Sequence, residues 1–106
     1  MSATETKGTA LITGASSGMG AIYADRLAKR GYDLILVARN KNRLTGLAER
    51  LMDETGRSVE TIAADLSNKA DLARIETTLS TNPSITLLAN NAGVGATARA
   101  QINASM

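Results

Sequence analysis

Four short runs rich in apolar residues punctuate the chain, at Thr9–Thr13, Asp33–Ala38, Val59–Ala64 and Ile85–Asn90, with starts 24, 26 and 26 residues apart. Each has the length of a strand. Apolar residues on consecutive positions suit strands covered on both faces. Between the runs the period lengthens to that of a helix. Met19, Ile22, Tyr23 and Leu27 fall on one helical face; so do Leu44, Leu47, Ala48 and Leu51, and again Leu72, Ile75 and Leu79.

The punctuation agrees with this reading. Gly31 and Gly56 stand where the first two helices need a left-handed terminal residue. Ser67 is the expected N-cap of the third helix, with Asp71 near its first turn, and Pro83 marks the loop before the fourth strand. Residues 95–106 are small and polar and give only a weak helix signal. Strand and helix thus alternate as βαβαβαβ. The fold class is α/β, a partial Rossmann-type doubly wound parallel sheet of four strands and about three helices, in one domain over residues 1–106. Right-handed crossovers predict the strand order 3-2-1-4, with a ligand crevice between strands 1 and 4.

One segment at that crevice carries chemistry. Thr13-Gly14-Ala15-Ser16-Ser17-Gly18-Met19-Gly20 leaves an apolar strand and opens an amphipathic helix. A pyrophosphate needs backbone N–H groups brought close to its oxygens. Gly14 would permit the sharp turn, Gly18 the approach of main chain to phosphate, and Gly20 close packing of helix on sheet. Ser16 and Ser17 add hydroxyl donors. A turn needing glycine for geometry alone is the plainer alternative, but strand, spacing and helix together favour a dinucleotide. A mononucleotide P-loop is a poor competitor, since no Gly-Lys-Ser/Thr triplet occurs.

The end of the second strand separates the two nicotinamide cofactors. An acid there would bond ribose hydroxyls and favour NAD; a base would pair with a 2′-phosphate and favour NADP. The chain reads Leu36-Val37-Ala38-Arg39-Asn40, with no carboxylate between Asp33 and Glu49. Arg39 is therefore the expected 2′-phosphate partner, and NADP is preferred over NAD. Lys41 and Arg43 read more simply as a solvated helix start.

Composition narrows the alternatives. The chain has no Cys and no His, which excludes common zinc sites and any Ser-His or Cys-His nucleophilic pair within its 106 residues. Two tyrosines are its only aromatic residues, a thin platform for stacking nucleic-acid bases, and a formal net charge of +2 gives no general polyanion binder. The longest apolar run, Leu34 to Ala38, is far short of a membrane span, and Met1 to Lys7 lacks the apolar region of a signal peptide. A soluble, cytoplasmic protein without nucleic-acid or membrane partners is the expectation.

Two further segments complete a pattern. Ala64-Asp65-Leu66 closes the third strand and Asn90-Asn91-Ala92-Gly93 the fourth. With the glycine turn, they make the chain resemble the N-terminal, cofactor-binding half of a short-chain dehydrogenase/reductase, from about Gly8 to Gly95. The resemblance implies that Asp65 bonds the adenine amino group with the Leu66 backbone beside it. It implies that Asn90, Asn91, Ala92 and Gly93 line the adenosine ribose and steady the sheet. Capping of the following loops by Asp65 and Asn90 is the plainer alternative.

It also implies an NADP-dependent reaction in which hydride passes between nicotinamide and a carbonyl or alcohol substrate, in an enzyme that usually forms homo-oligomers. The family's chemistry uses a Tyr followed four residues later by Lys. Here Tyr23 is followed by Leu27 and Tyr32 by Leu36, and Asn103 comes too soon after Gly93 to match the family's helical Asn. No catalytic residue is assigned, and the chain alone is expected to show no turnover. It reads as truncated before the catalytic half, which would leave the fourth strand an exposed apolar edge. A non-catalytic dinucleotide-binding module and a fragment that only associates through that edge are the alternatives.

Overall fold

The computed structural model describes residues 7–16 and 18–90, together with the backbone of residues 101–104. The elements run β1 (Thr9–Thr13), α1 (Gly18–Lys29), β2 (Asp33–Ala38), α2 (Lys41–Thr55), β3 (Val59–Ala63), α3 (Lys69–Thr81), β4 (Ile85–Asn90) and β5 (Gln101–Ala104). The sheet order is β3-β2-β1-β4-β5. Its first four strands are parallel, with Leu11 opposite both Ile35 and Leu88. The expected 3-2-1-4 order is therefore present, as a partial Rossmann-type fold.

Alternation along the strands divides the core. Ala10 and Ile12 of β1 and Leu34 and Leu36 of β2 face one way, against Ala24 and Leu27 of α1 and Leu44 and Leu51 of α2. Leu11, Ile35 and Val37 face the other way, against Ile75 of α3. Fully buried leucines of this kind each contribute on the order of 2–3 kcal/mol. Covering on both faces is what lets β2 run without a polar residue from Leu34 to Ala38.

The helix ends follow from local chemistry. Gly31, at φ 105°, closes α1: its N–H donates to Ala28 O while the Tyr32 N–H donates to Leu27 O, the nested pair of a Schellman end. Gly56, at φ 72°, closes α2 with its N–H on Met52 O.

Three expectations need correction. Asn68, not Ser67, caps α3: its Oδ1 accepts from the N–H groups of Ala70 and Asp71. The Ser67 N–H and hydroxyl are instead engaged by the Asp65 carboxylate. On α1 the buried side is Gly20, Ala24, Leu27 and Ala28, while Met19 and Ile22 are 53% and 48% exposed. Small residues let this helix approach the sheet closely, so its larger apolar residues turn outward. Leu72 of α3 is also exposed.

The third correction concerns β4. Its edge is paired: residues 101–104, read as weakly helical, form the antiparallel strand β5, with Leu87 opposite Ala104 and Asn90 opposite Gln101. A strand edge offers a row of N–H and C=O groups, and Gln101-Ile102-Asn103-Ala104 alternates polar and apolar residues as a strand does. Among the described residues, no helix is long and apolar enough to cross a membrane.

Candidate cofactor site

All four strand-to-helix or strand-to-loop exits of the parallel strands open at the same end of the sheet. Gly14–Ser16 follows β1, Arg39 follows β2, Asp65 and Leu66 follow β3, and Asn90 ends β4. Hydrogen bonds between neighbouring exits hold them in line. Ala15 N–H donates to Val37 O at 3.1 Å, and Ala64 N–H to Ala38 O at 2.9 Å. The fold thus brings Gly14, Ser16, Gly18, Met19, Gly20, Arg39, Asp65, Leu66 and Asn90 to one edge. Ser17, Asn91, Ala92 and Gly93 lie outside the described residues.

The glycines of the turn have different causes. Gly14 takes φ 64°, a left-handed conformation that turns the chain out of β1. A Cβ on Gly20 would strike the carbonyl oxygen of Gly14 and the backbone of Ala15, so this glycine is required by helix packing. Gly18 has neither cause. Its φ is not positive, and among the described residues a Cβ there would meet nothing within 4 Å. This glycine stands at the N-terminus of α1, where the helix dipole favours an anion.

Arg39 is exposed, and no ion pair joins it to another side chain among the described residues. It follows the last residue of β2, and Asn40 immediately begins α2 by accepting the Arg43 N–H at 3.0 Å. The α2 first turn carries no acid. A guanidinium there faces a local field with no competing carboxylate on its own helix turn.

Asp65 is held from several sides. The Ser67 hydroxyl donates to its Oδ1 at 2.7 Å and the Ser67 N–H to the same atom at 3.0 Å. These two bonds, with a smaller contribution from the Arg39 guanidinium, keep its carboxyl below the usual aspartate range against an opposing effect of partial burial. No hydrogen bond to Oδ2 occurs among the described residues, so an acceptor remains for an amino group. Leu66 turns its side chain into the core around Leu11 and Ile75, which leaves its backbone to face the edge.

Asn90 is fixed by a residue whose role is not legible in the sequence. The buried Thr13 hydroxyl donates to Asn90 Oδ1 at 2.8 Å, across the register pair of β1 and β4. The available signal is the polar Thr closing an apolar strand directly before the glycine turn. It ties the start of that turn to the end of β4.

A parallel α/β sheet with a glycine turn between its first strand and first helix is the arrangement of the Rossmann-type α/β folds. Residues 8–105 match the family model for short chain dehydrogenases, and the chain belongs to that family. In fold and sequence it is similar to the bulky-bulky ketone specific alcohol dehydrogenase of Comamonas testosteroni, at 53% identity and a TM-score of 0.83, over 86% of this chain and 36% of that one. It is likewise similar to a short-chain dehydrogenase of Sphingobium yanoikuyae solved in complex with NADPH, at 57% identity and a TM-score of 0.75, over 76% of this chain and 32% of that one. A very-long-chain 3-oxoacyl-CoA reductase of Yarrowia lipolytica is 36% identical over 87 residues, which are 80% of this chain and 22% of the relative. The chain therefore spans well under half the length of these relatives.

Proposed function

We propose that this chain is the cofactor-binding part of an NADP-dependent short-chain dehydrogenase/reductase, a single dinucleotide-binding domain. The observation that carries this reading is Gly18, a glycine at a helix N-terminus where, among the described residues, nothing stands within 4 Å of the place its Cβ would take. The family and its NADPH-bound member support the choice of ligand.

On this reading the pyrophosphate rests on the turn from Gly14 through Ser16, Ser17, Gly18 and Met19 to Gly20. Arg39 pairs with the 2′-phosphate, and its bidentate fork suits that group better than an ammonium would. Asp65 Oδ2 accepts the adenine amino group, with Leu66 contributing backbone only. Asn90, steadied by Thr13, begins the segment through Asn91, Ala92 and Gly93 that borders the ribose. The bound dinucleotide would supply or accept a hydride at a small carbonyl or alcohol substrate. The chain's own residues bind and orient; none of its tyrosines has a Lys four positions on, so we expect no turnover from it alone. A homo-oligomeric complete enzyme and a cytoplasmic setting belong to the same reading.

Titration of the chain with NADPH and with NADH, followed by nicotinamide fluorescence, tests it. The expected result is saturable binding with NADPH preferred. Absence of saturable binding, or equal affinity for the two, would count against the NADP assignment.

A further inference from the structure

The β3–α3 turn is held by a side chain that does not itself reach the open edge. Asp71, in the first turn of α3, accepts the backbone N–H of Asp65 on Oδ2 at 2.9 Å. Its other oxygen accepts from Arg74 Nη2 at 3.2 Å, and that nitrogen also lies 3.4 Å from the Ala63 carbonyl. The carboxylate thus reaches back six residues and fixes the main chain at the residue whose Oδ2 is open. It is a departure from the usual capping box, in which an acid at this helical position bonds the N-cap N–H.

The rest of the turn cannot substitute for this bond. The Asp65 carbonyl accepts Asn68 N–H at 2.9 Å, and Ser67 fixes Oδ1. Both act on the side of Asp65 toward α3. Between Ala64, which is bonded to β2, and Ser67, the Asp65 N–H is the main-chain donor anchored by a side chain. Releasing it would free the peptide plane before Asp65 to turn, and with it the direction of Cα–Cβ. A carboxylate aimed at one amino group loses its aim with a shift of about 1 Å.

We infer that Asp71, braced by Arg74, is a positioning residue that sets the purine selectivity of this site by orienting the Asp65 carboxylate. The inference rests on the cofactor reading above. It concerns selectivity between bases, since Asp71 acts on the backbone N–H of Asp65. Adenine presents an amino donor to Oδ2. Hypoxanthine presents a carbonyl oxygen at the same place, and two acceptors would then face each other.

The test compares NADPH with nicotinamide hypoxanthine dinucleotide phosphate in its reduced form, by fluorescence titration of the wild-type chain and variants. The wild type should prefer NADPH by about tenfold, the scale of one hydrogen bond to a charged group. Asp71→Ala should bring the ratio close to one. Asp71→Asn, which keeps an oxygen for the Asp65 N–H but loses the ion pair with Arg74, should lower it by about threefold, as Arg74→Ala does. A merely structural role would weaken both ligands by one common factor and leave the ratio unchanged, and that outcome overturns the inference. Should Asp71→Ala not fold by circular dichroism, the exposed Arg74→Ala decides: a fall in the ratio of about threefold is expected from loss of one exposed ion pair, and an unchanged ratio again overturns it. A wild type that binds neither ligand, or shows no preference, overturns the adenine role of Asp65 and this inference with it. A wild-type preference that survives Asp71→Ala overturns the role of Asp71 alone.

Discussion

Where the strands of the parallel sheet begin, the chain's special residues are engaged with one another. Gly8, at φ 108°, lies so close to Thr86 that a Cβ would overlap that side chain. Arg57 donates from Nη1 to the Gly31 carbonyl at 2.9 Å and stands 3.9 Å from Asp33 Oδ1, which also accepts the Ser58 N–H. Where the strands end, the same residue types are left facing outward. Among the described residues, nothing stands within 4 Å of a Cβ on Gly18, Arg39 forms no ion pair, and Asp65 Oδ2 accepts no hydrogen bond. A glycine, an arginine and an aspartate thus serve packing at one end, while at the other the same residue types are left for the ligand that the proposed function assigns them. The difference is visible only when each is asked what it already touches.

The largest effect should come from reversing the charge at the open end. Arg39→Asp should lower NADPH affinity by up to about a hundredfold, equivalent to roughly 3 kcal/mol, because a charge-assisted bidentate pair is replaced by repulsion between two anions. NADH affinity should change by no more than about threefold, since NADH has no 2′-phosphate to be repelled. Thermal unfolding of the free chain should move only slightly, because the side chain is exposed, forms no ion pair among the described residues and acts on Asp65 only weakly. Arg57→Ala at the closed end should do the opposite: a loss of about 1–2 kcal/mol of stability and no change in the NADPH to NADH ratio. Similar behaviour of the two arginines would dissolve the comparison.

The glycines sharpen it further. Gly8→Ala should cost about 1–3 kcal/mol in chemical denaturation, from a left-handed backbone and a clash with Thr86. Cofactor affinity of the folded fraction should be unchanged. Gly18→Ala should stabilise the free chain by up to about 1 kcal/mol, through better helix propensity, yet weaken NADPH binding about tenfold by occupying the phosphate's approach. Stability and binding moving in opposite directions is the signature of a residue kept for a ligand. A Gly18→Ala chain that binds NADPH as well as the wild type would remove the main support of the proposed function.

How much is legible in the sequence differs between fold and site. The four parallel strands and the glycine ends of α1 and α2 can be read because consecutive apolar runs and left-handed glycines have local causes. The buried side of α1 cannot. Gly20 and Ala24 carry almost no hydrophobic signal, and Met19 and Ile22 outweigh them in any reading by side-chain size. Ser67 reads as the α3 cap because Ser, Asn and Asp are all good caps in sequence; the choice is made by Asp65, whose carboxylate engages Ser67 first. β5 escapes a sequence reading because its partner is the edge of β4, a long-range pairing with only four residues of local pattern. At the site, residue positions are legible from spacing, whereas the Thr13–Asn90 and Asp71–Asp65 hydrogen bonds depend on three-dimensional register.

The smallest expected effect is an acid dependence confined to the open end. The Asp65 carboxyl is held low chiefly by the Ser67 hydroxyl, and that of Asp71 chiefly by the Asp65 N–H. A folded-state value below the unfolded one means that each group stabilises the fold fully above the ordinary carboxylate pKa of about 4. The contribution is lost as pH falls from there through the lowered values, because the unfolded chain takes up protons that the native carboxylates still resist. Both groups are partly open to solvent, so the unfolding midpoint should fall gently below about pH 4 and stay flat from there to neutrality. NADPH binding should fall over the same range, since a protonated Asp65 no longer offers a charged acceptor. In Ser67→Ala the acid-dependent part of the stability should shrink, because the Asp65 value moves back toward its unfolded one, while the fall in binding should begin at higher pH. An unchanged acid profile in that variant would mean that Ser67 does not set the charge of Asp65, and that the turn after β3 is held by Asp71 and Asn68 alone.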